Sequence, residues 1–280
     1  MTLTWPVALA VLFAALLHAS WNVMVKRSTD APADLALLTL GASVLAAPWL
    51  LWLPLPAPAA WPFLIASNLI HVGYYATLLA TYRHADLGFG YPIMRGSAPL
   101  LVALVGAFAL GEMPSGLVWA GIALISGGVV SLAFAQGWRA GAGRATLFAL
   151  ANATMIAAYT LVDAAGARSA GTAISYVLWM FFLEGLPFAA FMLWRRGPAF
   201  VAHARKRWRS ALAGGACSAL SYGIAVWAMT VAPVGAVAAL RETSVVFALG
   251  LGVLLLKERL NSGRWLGVAA VLAGAMALRA

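Results

Sequence analysis

The chain has 280 residues, of which 64% are hydrophobic and only 9% carry a formal charge, and its mean hydropathy is +0.92. A soluble domain is about half apolar and about one-quarter charged, so this composition excludes a soluble enzyme and indicates a membrane protein. The net charge of +10 is typical of basic cytoplasmic loops and predicts no nucleic-acid partner, and the single cysteine, Cys217, excludes a disulfide framework and a thiolate metal cluster.

Ten apolar runs follow one another along the chain, and each is long enough to cross a hydrocarbon core of ~30 Å. They cover residues 4–25, 33–53, 60–82, 89–111, 114–135, 145–165, 172–194, 209–231, 234–256 and 264–278. The loops between them are short and leave no room for a soluble domain. The first run has no basic segment before it and no cleavage site after it, so we interpret it as a retained helix. The predicted fold is an all-α membrane protein with ten transmembrane helices.

The basic residues are distributed unevenly among the loops. Fourteen of the 18 lie in or beside the odd-numbered loops. On the other side lie only Arg168 and Arg279, while Arg95 and Arg241 lie inside runs. Because Lys and Arg concentrate in cytoplasmic loops, the odd loops are predicted to face the cytoplasm and both termini the periplasm. The expected location is the cell inner membrane, with the lipid bilayer around the helices.

The two halves of the chain share a pattern. Arg95 lies 17 residues before Glu112, and Arg241 lies 17 residues before Glu258. Each glutamate is followed by a polar turn and a Gly-rich final run, which divides the chain into repeats 1–136 and 137–280 of five runs each. Because five is odd, the second copy is predicted to be inverted, as in many secondary transporters. Duplication of another kind of helical bundle is the structural alternative.

These halves resemble paired EamA-type domains of the drug/metabolite transporter superfamily, over essentially the whole chain. Pro99, thirteen residues before Glu112, fits the first-half pattern of that family. The Trp21-Asn22 pair also fits it, whereas Val245 replaces the corresponding proline in the second half. Within the superfamily the chain is most similar to the YddG-type exporters of aromatic and other apolar amino acids. The resemblance implies a cavity walled by the first, third, fourth, sixth, eighth and ninth helices.

Polar side chains in the same six runs predict the same cavity wall. Their spacing places each set on one helical face, and polar groups are costly in lipid unless they face protein or a water-filled cavity. Cross-helix hydrogen bonding and packing are the structural alternatives for the histidines and tyrosines. The predicted substrate-binding residues are His18, Trp21, Asn22, His71, Tyr74, Tyr75, Tyr82, Arg95, Asn152, Tyr159, Ser218, Ser221, Tyr222, Arg241, Glu242 and Ser244.

The other polar residues are interpreted as structural. Asp163 lies near the end of a run and is predicted to be solvated there, and Glu112 and Glu258 are interpreted as markers of helix ends. The second, fifth and tenth runs carry little beyond Ser and Thr and are predicted to be outer helices. The sequence indicates no role for Glu184 in the seventh run.

Two further expectations concern geometry. Adjacent residues on a helix point about 100° apart, so Arg241 and Glu242 are each expected to find another partner. Small residues allow close helix approach, and five glycines are predicted to pack in this way within the molecule. They are Gly121, Gly127, Gly128, Gly267 and Gly274.

The sequence predicts transport rather than chemistry. It contains no nucleophile–base set, phosphate loop or metal cluster, so no catalytic residue, metal or cofactor is expected. The prediction is a secondary transporter that exports small amphipathic solutes, such as aromatic and apolar amino acids, by alternating access. The solute's carboxylate would meet Arg95 or Arg241, and its ammonium Glu242. Two alternative functions remain open: an exchanger of phosphorylated or nucleotide-linked sugars, and a membrane enzyme or lipid scramblase. Proton coupling and the oligomeric state are also open, and a monomer is plausible.

Overall fold

The computed structural model describes residues 1–26, 28, 30–84, 87–134, 142–256 and 262–279, and over this range the chain forms helices and turns without a strand. The α-helices are α1 Trp5–Lys26, α2 Ala31–Ala46, α3 Trp61–His84, α4 Leu87–Ala109, α5 Gly116–Phe134, α6 Ala142–Ser169, α7 Ala173–Arg196, α8 Pro198–Val231, α9 Val234–Arg241, α10 Ser244–Leu256 and α11 Ser262–Ala277. Two 3₁₀ helices, Ala47–Leu51 and Pro58–Ala60, lie between α2 and α3. The all-α prediction is confirmed for these residues.

Nine stretches of the described chain are long and apolar enough to cross a membrane. The tenth predicted run corresponds to α11, whose 16 residues extend about 24 Å at 1.5 Å per residue, short of a hydrocarbon core of ~30 Å. The predicted marker Glu258 and the predicted boundary between residues 136 and 137 lie outside the described residues.

Helix α8 begins eleven residues earlier than predicted, at Pro198 rather than residue 209. Gly197 ends α7 with a φ of +50°, and Pro198 then takes the first helical position, where its missing N–H costs nothing. The basic segment 205–209 therefore lies on a helix and not in a loop, which corrects the prediction.

The ninth predicted run is interrupted. Helix α9 ends at Arg241 and α10 begins at Ser244. At the junction the backbone N–H groups of Glu242 and Thr243 donate to carbonyls three residues back, at 2.9 and 3.1 Å. Such tightening to i→i+3 hydrogen bonds marks a local break in an α-helix. No proline or glycine at this point indicates the break in the sequence.

Helices of the two halves pack against each other throughout the described part of the molecule. Helix α3 packs on α6, α1 packs on α8, and α2 lies against both α7 and α8. Helix α4 contacts α5 and α6, whereas α1 contacts α9 and α10. The last helix of the first half, α5, packs along α11. The main core draws buried side chains from both halves of the chain, and α5 and α7 contribute to it together with α1, α3, α4, α6, α8 and α9.

Glycines allow the closest of these approaches. A Cβ on Gly128 would lie 2.8 Å from the carbonyl oxygen of Gly267, and a Cβ on Gly274 would lie 2.6 Å from that of Gly121. These four predicted packing positions are confirmed at the α5–α11 contact. The prediction for Gly127 is wrong, because no atom lies within 4 Å of a Cβ built there.

Candidate functional site

A cavity of about 100 Å³ lies among α1, α2, α3, α4, α6, α7, α8 and α9. Pockets that bind drug-sized ligands measure ~300–1,000 Å³, so the cavity is narrow in this conformation. Eleven of the sixteen predicted substrate-binding residues line it. They are His18, Trp21, Asn22, His71, Tyr74, Tyr75, Arg95, Tyr159, Ser218, Tyr222 and Arg241.

The other five predicted residues, Tyr82, Asn152, Ser221, Glu242 and Ser244, lie outside the cavity lining. The Asn152 amide donates to the Tyr74 carbonyl and to the Thr77 hydroxyl, both at 2.9 Å, and so ties α6 to α3. The Ser221 hydroxyl donates to the Ala14 carbonyl at 2.8 Å and ties α8 to α1.

Two helices that the sequence did not indicate complete the wall. The prediction that α2 is an outer helix is wrong, because four of its side chains line the cavity, and α7 adds two more. The lining residues missing from the sequence prediction are Leu35, Leu38, Thr39 and Ala42 on α2, Tyr91 on α4, and Phe181 and Glu184 on α7. Those on α2 include no strongly polar residue, so a search for intramembrane polar groups misses them.

The structure provides an account of Glu184. Its Oε1 accepts a hydrogen bond from the Tyr75 hydroxyl at 2.7 Å and lies 3.8 Å from His71 Nε2. Both partners are on α3, so the carboxylate joins α7 to α3 at the cavity wall. Membrane-embedded carboxylates of this kind mark ion or substrate pathways.

Arg95 and Glu242 form a buried ion pair between α4 and the α9–α10 junction. Arg95 Nε donates to Glu242 Oε2 at 2.9 Å, and Arg95 NH2 lies 2.7 Å from Oε1. The Nε contact is a hydrogen bond, whereas the NH2 group lies at ion-pair distance without hydrogen-bond geometry, so the pair is joined by one charge-assisted hydrogen bond. Glu242 is thereby committed to Arg95, and its predicted role toward a solute's ammonium is not supported by this arrangement.

Arg241 has a different environment from Arg95. Its guanidinium carbon lies 4.8 Å from the centroid of the Tyr222 ring, and the residue is only 6% exposed. Within the described residues no carboxylate lies at ion-pair distance from it. The expectation that Arg241 and Glu242 find separate partners is confirmed. Arg241 therefore presents to the cavity a buried guanidinium that has no carboxylate at ion-pair distance in the described chain.

Aromatic rings form much of the remaining wall. The His71 and Tyr159 rings stack at 4.3 Å, and Tyr159 meets Tyr222 edge-on at 5.8 Å. Tyr75 stacks on Phe188 at 4.9 Å. Such rings offer faces to apolar groups and to cations. Across the described chain no three His, Cys, Asp or Glu side chains are arranged to hold a metal ion.

Asp163 is buried and not solvated, which corrects the sequence prediction. The residue is in α6, five residues before Arg168 and within the helix rather than at its end. Its Oδ1 accepts from the Tyr176 hydroxyl at 2.9 Å, and its Oδ2 accepts from the Tyr222 hydroxyl at 2.6 Å. It thus links α6 to α7 and α8 beneath the cavity wall.

Ion pairs lie at both ends of the helices that surround the cavity. At the even-loop end, Glu112 pairs with Arg168 and also accepts from the backbone N–H of Val234, the first residue of α9, at 2.7 Å. At the odd-loop end, Asp34 on α2 accepts from His203 Nε2 at 2.7 Å and from Arg207 at 3.0 Å. Glu112 is therefore an ion-pair partner as well as a marker of a helix end.

Residues 143–280 match the EamA-like transporter family. A riboflavin transporter of Vibrio cholerae serotype O1 is 32% identical over 133 residues, which cover 45% of this chain and 42% of that protein. The chain therefore spans less than half the length of that curated relative.

A solved crystal structure agrees with the fold over nearly the whole chain. Its TM-score is 0.78 at 18% identity, with 97% of each chain covered, and at that identity the likeness shows the fold alone. The second half of the chain thus matches an EamA-like transporter family, and the described residues contain nine stretches long and apolar enough to cross a membrane.

Proposed function

Starting from the EamA-like transporter domain of residues 143–280, we propose that the protein is a secondary transporter of the cell inner membrane. It exports small amphipathic solutes, above all aromatic and apolar amino acids, by alternating access. The observation that carries this proposal is Arg241, a buried cation without a carboxylate partner in the described chain that faces an aromatic cavity.

The charges in the cavity suit a zwitterion. A solute carboxylate can pair with Arg241, and the N-terminal end of α10, three residues farther on, adds a partial positive charge. The ammonium group is received by Glu184 or by a tyrosine face, since Glu242 is engaged with Arg95. An apolar side chain packs among Tyr74, Tyr159 and the other rings. The eleven sequence-predicted residues that line the cavity are the candidates for direct contact with the solute.

The architecture of the exporter is part of the same proposal. Two inverted repeats, covering 1–136 and 137–280, supply equivalent halves that rock about the cavity. The reciprocal packing of α1 on α8 and of α3 on α6 supports this arrangement, because inverted repeats exchange equivalent partners. The break between α9 and α10 also supports it, since discontinuous helices form the sites of many transporters.

Replacement of Arg241 tests the function. In vesicles containing the purified protein, Arg241→Gln should lower the transport of L-phenylalanine about 10- to 100-fold, because a hydrogen bond to a charged group contributes about 1.5–3 kcal/mol. The variant should also lose discrimination between phenylalanine and its decarboxylated amine. Transport of a panel of labelled amino acids by the unaltered protein identifies the preferred solute.

A matched control is available on α8. Arg209 lies 5.3 Å from the ring of its neighbour Trp208, outside the cavity, so Arg209→Gln removes a similar contact without changing the site. It should leave transport unchanged. An Arg241→Gln protein with a lower melting temperature and unaltered selectivity would contradict the carboxylate-binding role. Absence of transport of every amino acid by the unaltered protein would contradict the proposed function.

A flavin-like solute is the second candidate. The relative named riboflavin transporter and the aromatic cavity wall both favour it. Riboflavin is uncharged at neutral pH and needs neither Arg241 nor Glu184 as a counter-charge. Uptake of riboflavin that persists in Arg241→Gln, without transport of amino acids by the unaltered protein, would select this candidate.

A further inference from the structure

Two titratable side chains from two helices lie together at the cavity wall, apart from the Arg95–Glu242 pair. Glu184 on α7 is 3.8 Å from His71 on α3. Both are within membrane-spanning helices. Acidic and histidine side chains at such depth are costly unless they are paired or serve transport.

The hydrogen bonds of His71 orient its ring toward Glu184. Nδ1 lies 2.9 Å from the carbonyl oxygen of Ser67, an atom that only accepts, so Nδ1 carries a hydrogen in this arrangement. In the neutral ring Nε2 then has a free lone pair and faces Glu184 Oε1. A proton shared by these two atoms resides either on Glu184, which leaves both groups neutral, or on His71, which gives a carboxylate and an imidazolium.

Asp163 is a second buried carboxylate near the cavity wall. It is fully buried and accepts from the Tyr176 and Tyr222 hydroxyls. Neither lysine nor arginine pairs with it in the described part of the chain. Its hydrogen bonds hold two tyrosines of α7 and α8 in place, and it does not line the cavity.

The remaining groups around the pair are accounted for. Tyr75 on α3 donates to Glu184, and Tyr159 on α6 stacks on His71. Of the two cavity arginines, Arg95 pairs with Glu242, and Arg241 lies over the Tyr222 ring, where it is the proposed partner of the solute carboxylate. The other titratable lining groups are His18, Tyr74 and Tyr91, and α2 contributes none.

We infer that Glu184 and His71 form a proton-binding site, positioned by the Tyr75 hydrogen bond to Glu184 and the His71 hydrogen bond to Ser67, at which a proton and a solute ammonium group exclude each other. When Glu184 takes up a proton it loses the negative charge that would hold the ammonium, and when the ammonium binds the proton is released to the side that is open. The protein is then a proton–solute antiporter, in which protons moving inward drive export. This inference rests on the proposed function for its coupling and on the cavity geometry for the proton site itself.

The proton site is tested without any solute. Infrared difference spectra of the purified full chain between acidic and alkaline buffer should contain a carboxylic-acid carbonyl band that disappears in Glu184→Gln and shifts in His71→Gln. Asp30→Asn is the control, because Asp30 pairs with Arg196 outside the cavity. It should leave the band unchanged. A band that Glu184→Gln and His71→Gln both leave unaltered overturns the proton site, as does its absence from the unaltered protein.

Coupling is tested in vesicles with labelled L-phenylalanine. An imposed pH gradient should drive accumulation by the unaltered protein at least tenfold above exchange without a gradient. Glu184→Gln removes the carboxylate that receives the ammonium, so it should lower phenylalanine exchange, and the exchange that remains should not respond to the gradient. Asp30→Asn should retain both the exchange and its response. Exchange by the unaltered protein without any response to the gradient overturns the antiport. A Glu184-dependent infrared band without transport of amino acids supports the proton site and contradicts the proposed solute.

Discussion

Ser218 and Ser221 on α8 lie three residues apart but have different surroundings. Ser218 lines the cavity, whereas Ser221 is buried and donates its hydroxyl to the Ala14 carbonyl of α1. The sequence assigned both to the same face because positions i and i+3 lie close together on a helix. A neighbouring helix covers one of them, so a shared face does not guarantee shared access to water.

Cysteine labelling distinguishes these two residues. In a Cys217→Ser background, Ser218→Cys should react with a small water-soluble thiol reagent, and L-phenylalanine should slow the reaction if it occupies the cavity. Ser221→Cys should react at least tenfold more slowly because α1 covers it. Equal rates for the two cysteines, measured by mass spectrometry, would contradict the assigned cavity wall.

At the scale of helices, α5 and α11 illustrate what glycine contributes in a membrane protein. Lipid provides no hydrophobic drive for helix association, so close backbone approach and dispersion contacts must supply it. Gly128 lies against the backbone of Gly267, while its neighbour Gly127 faces open space. Glycine is therefore needed for helix packing at position 128 and is not needed at position 127.

Substitution of the two glycines measures this difference. Gly128→Val should destabilise the protein by about 1–3 kcal/mol, because the added carbon overlaps the Gly267 carbonyl at 2.8 Å. Gly127→Val introduces the same β-branched residue and should change stability by no more than about 0.5 kcal/mol. Thermal unfolding in detergent compares them. Similar melting temperatures for the two variants would contradict the close α5–α11 contact.

At the scale of the whole molecule, ion pairs connect the halves at both ends of the cavity. Glu112 and Arg168 join the loop after α4 to the end of α6, and Asp34 joins α2 to His203 and Arg207 on the extension of α8. The basic extension also places positive charge at the odd-loop end, which the sequence predicts to be cytoplasmic.

Labelling from one side of the membrane tests this orientation. In intact cells and a Cys217→Ser background, Leu55→Cys in the exposed loop after α2 should react with a membrane-impermeant maleimide. Ala202→Cys on the exposed extension of α8 should react only after the membrane is permeabilised. The reverse pattern would invert the proposed orientation.

The hydrophobic pattern was sufficient to locate the helices, but not the start of α8 or the break between α9 and α10. An apolar run of about 20 residues in lipid must satisfy its backbone hydrogen bonds internally, whatever its exact ends. Charge and polarity also located the centre of the site. Arg95, Arg241, His71 and Tyr222 were found in advance, since polar groups in a membrane span need a protein partner or a cavity.

Tertiary packing decided which of these groups meet. Tyr75 and Glu184 are 109 residues apart, and Arg95 and Glu242 are 147 apart, so nothing local in the sequence links them. Apolar Leu38 and Ala42 line the cavity only because α2 packs on α7 and α8. Asp163 is buried only because α7 and α8 bring two tyrosine hydroxyls to it. The periodicity of one helix indicates which of its faces is polar. Which side chain of another helix packs against that face depends on how the separate helices pack.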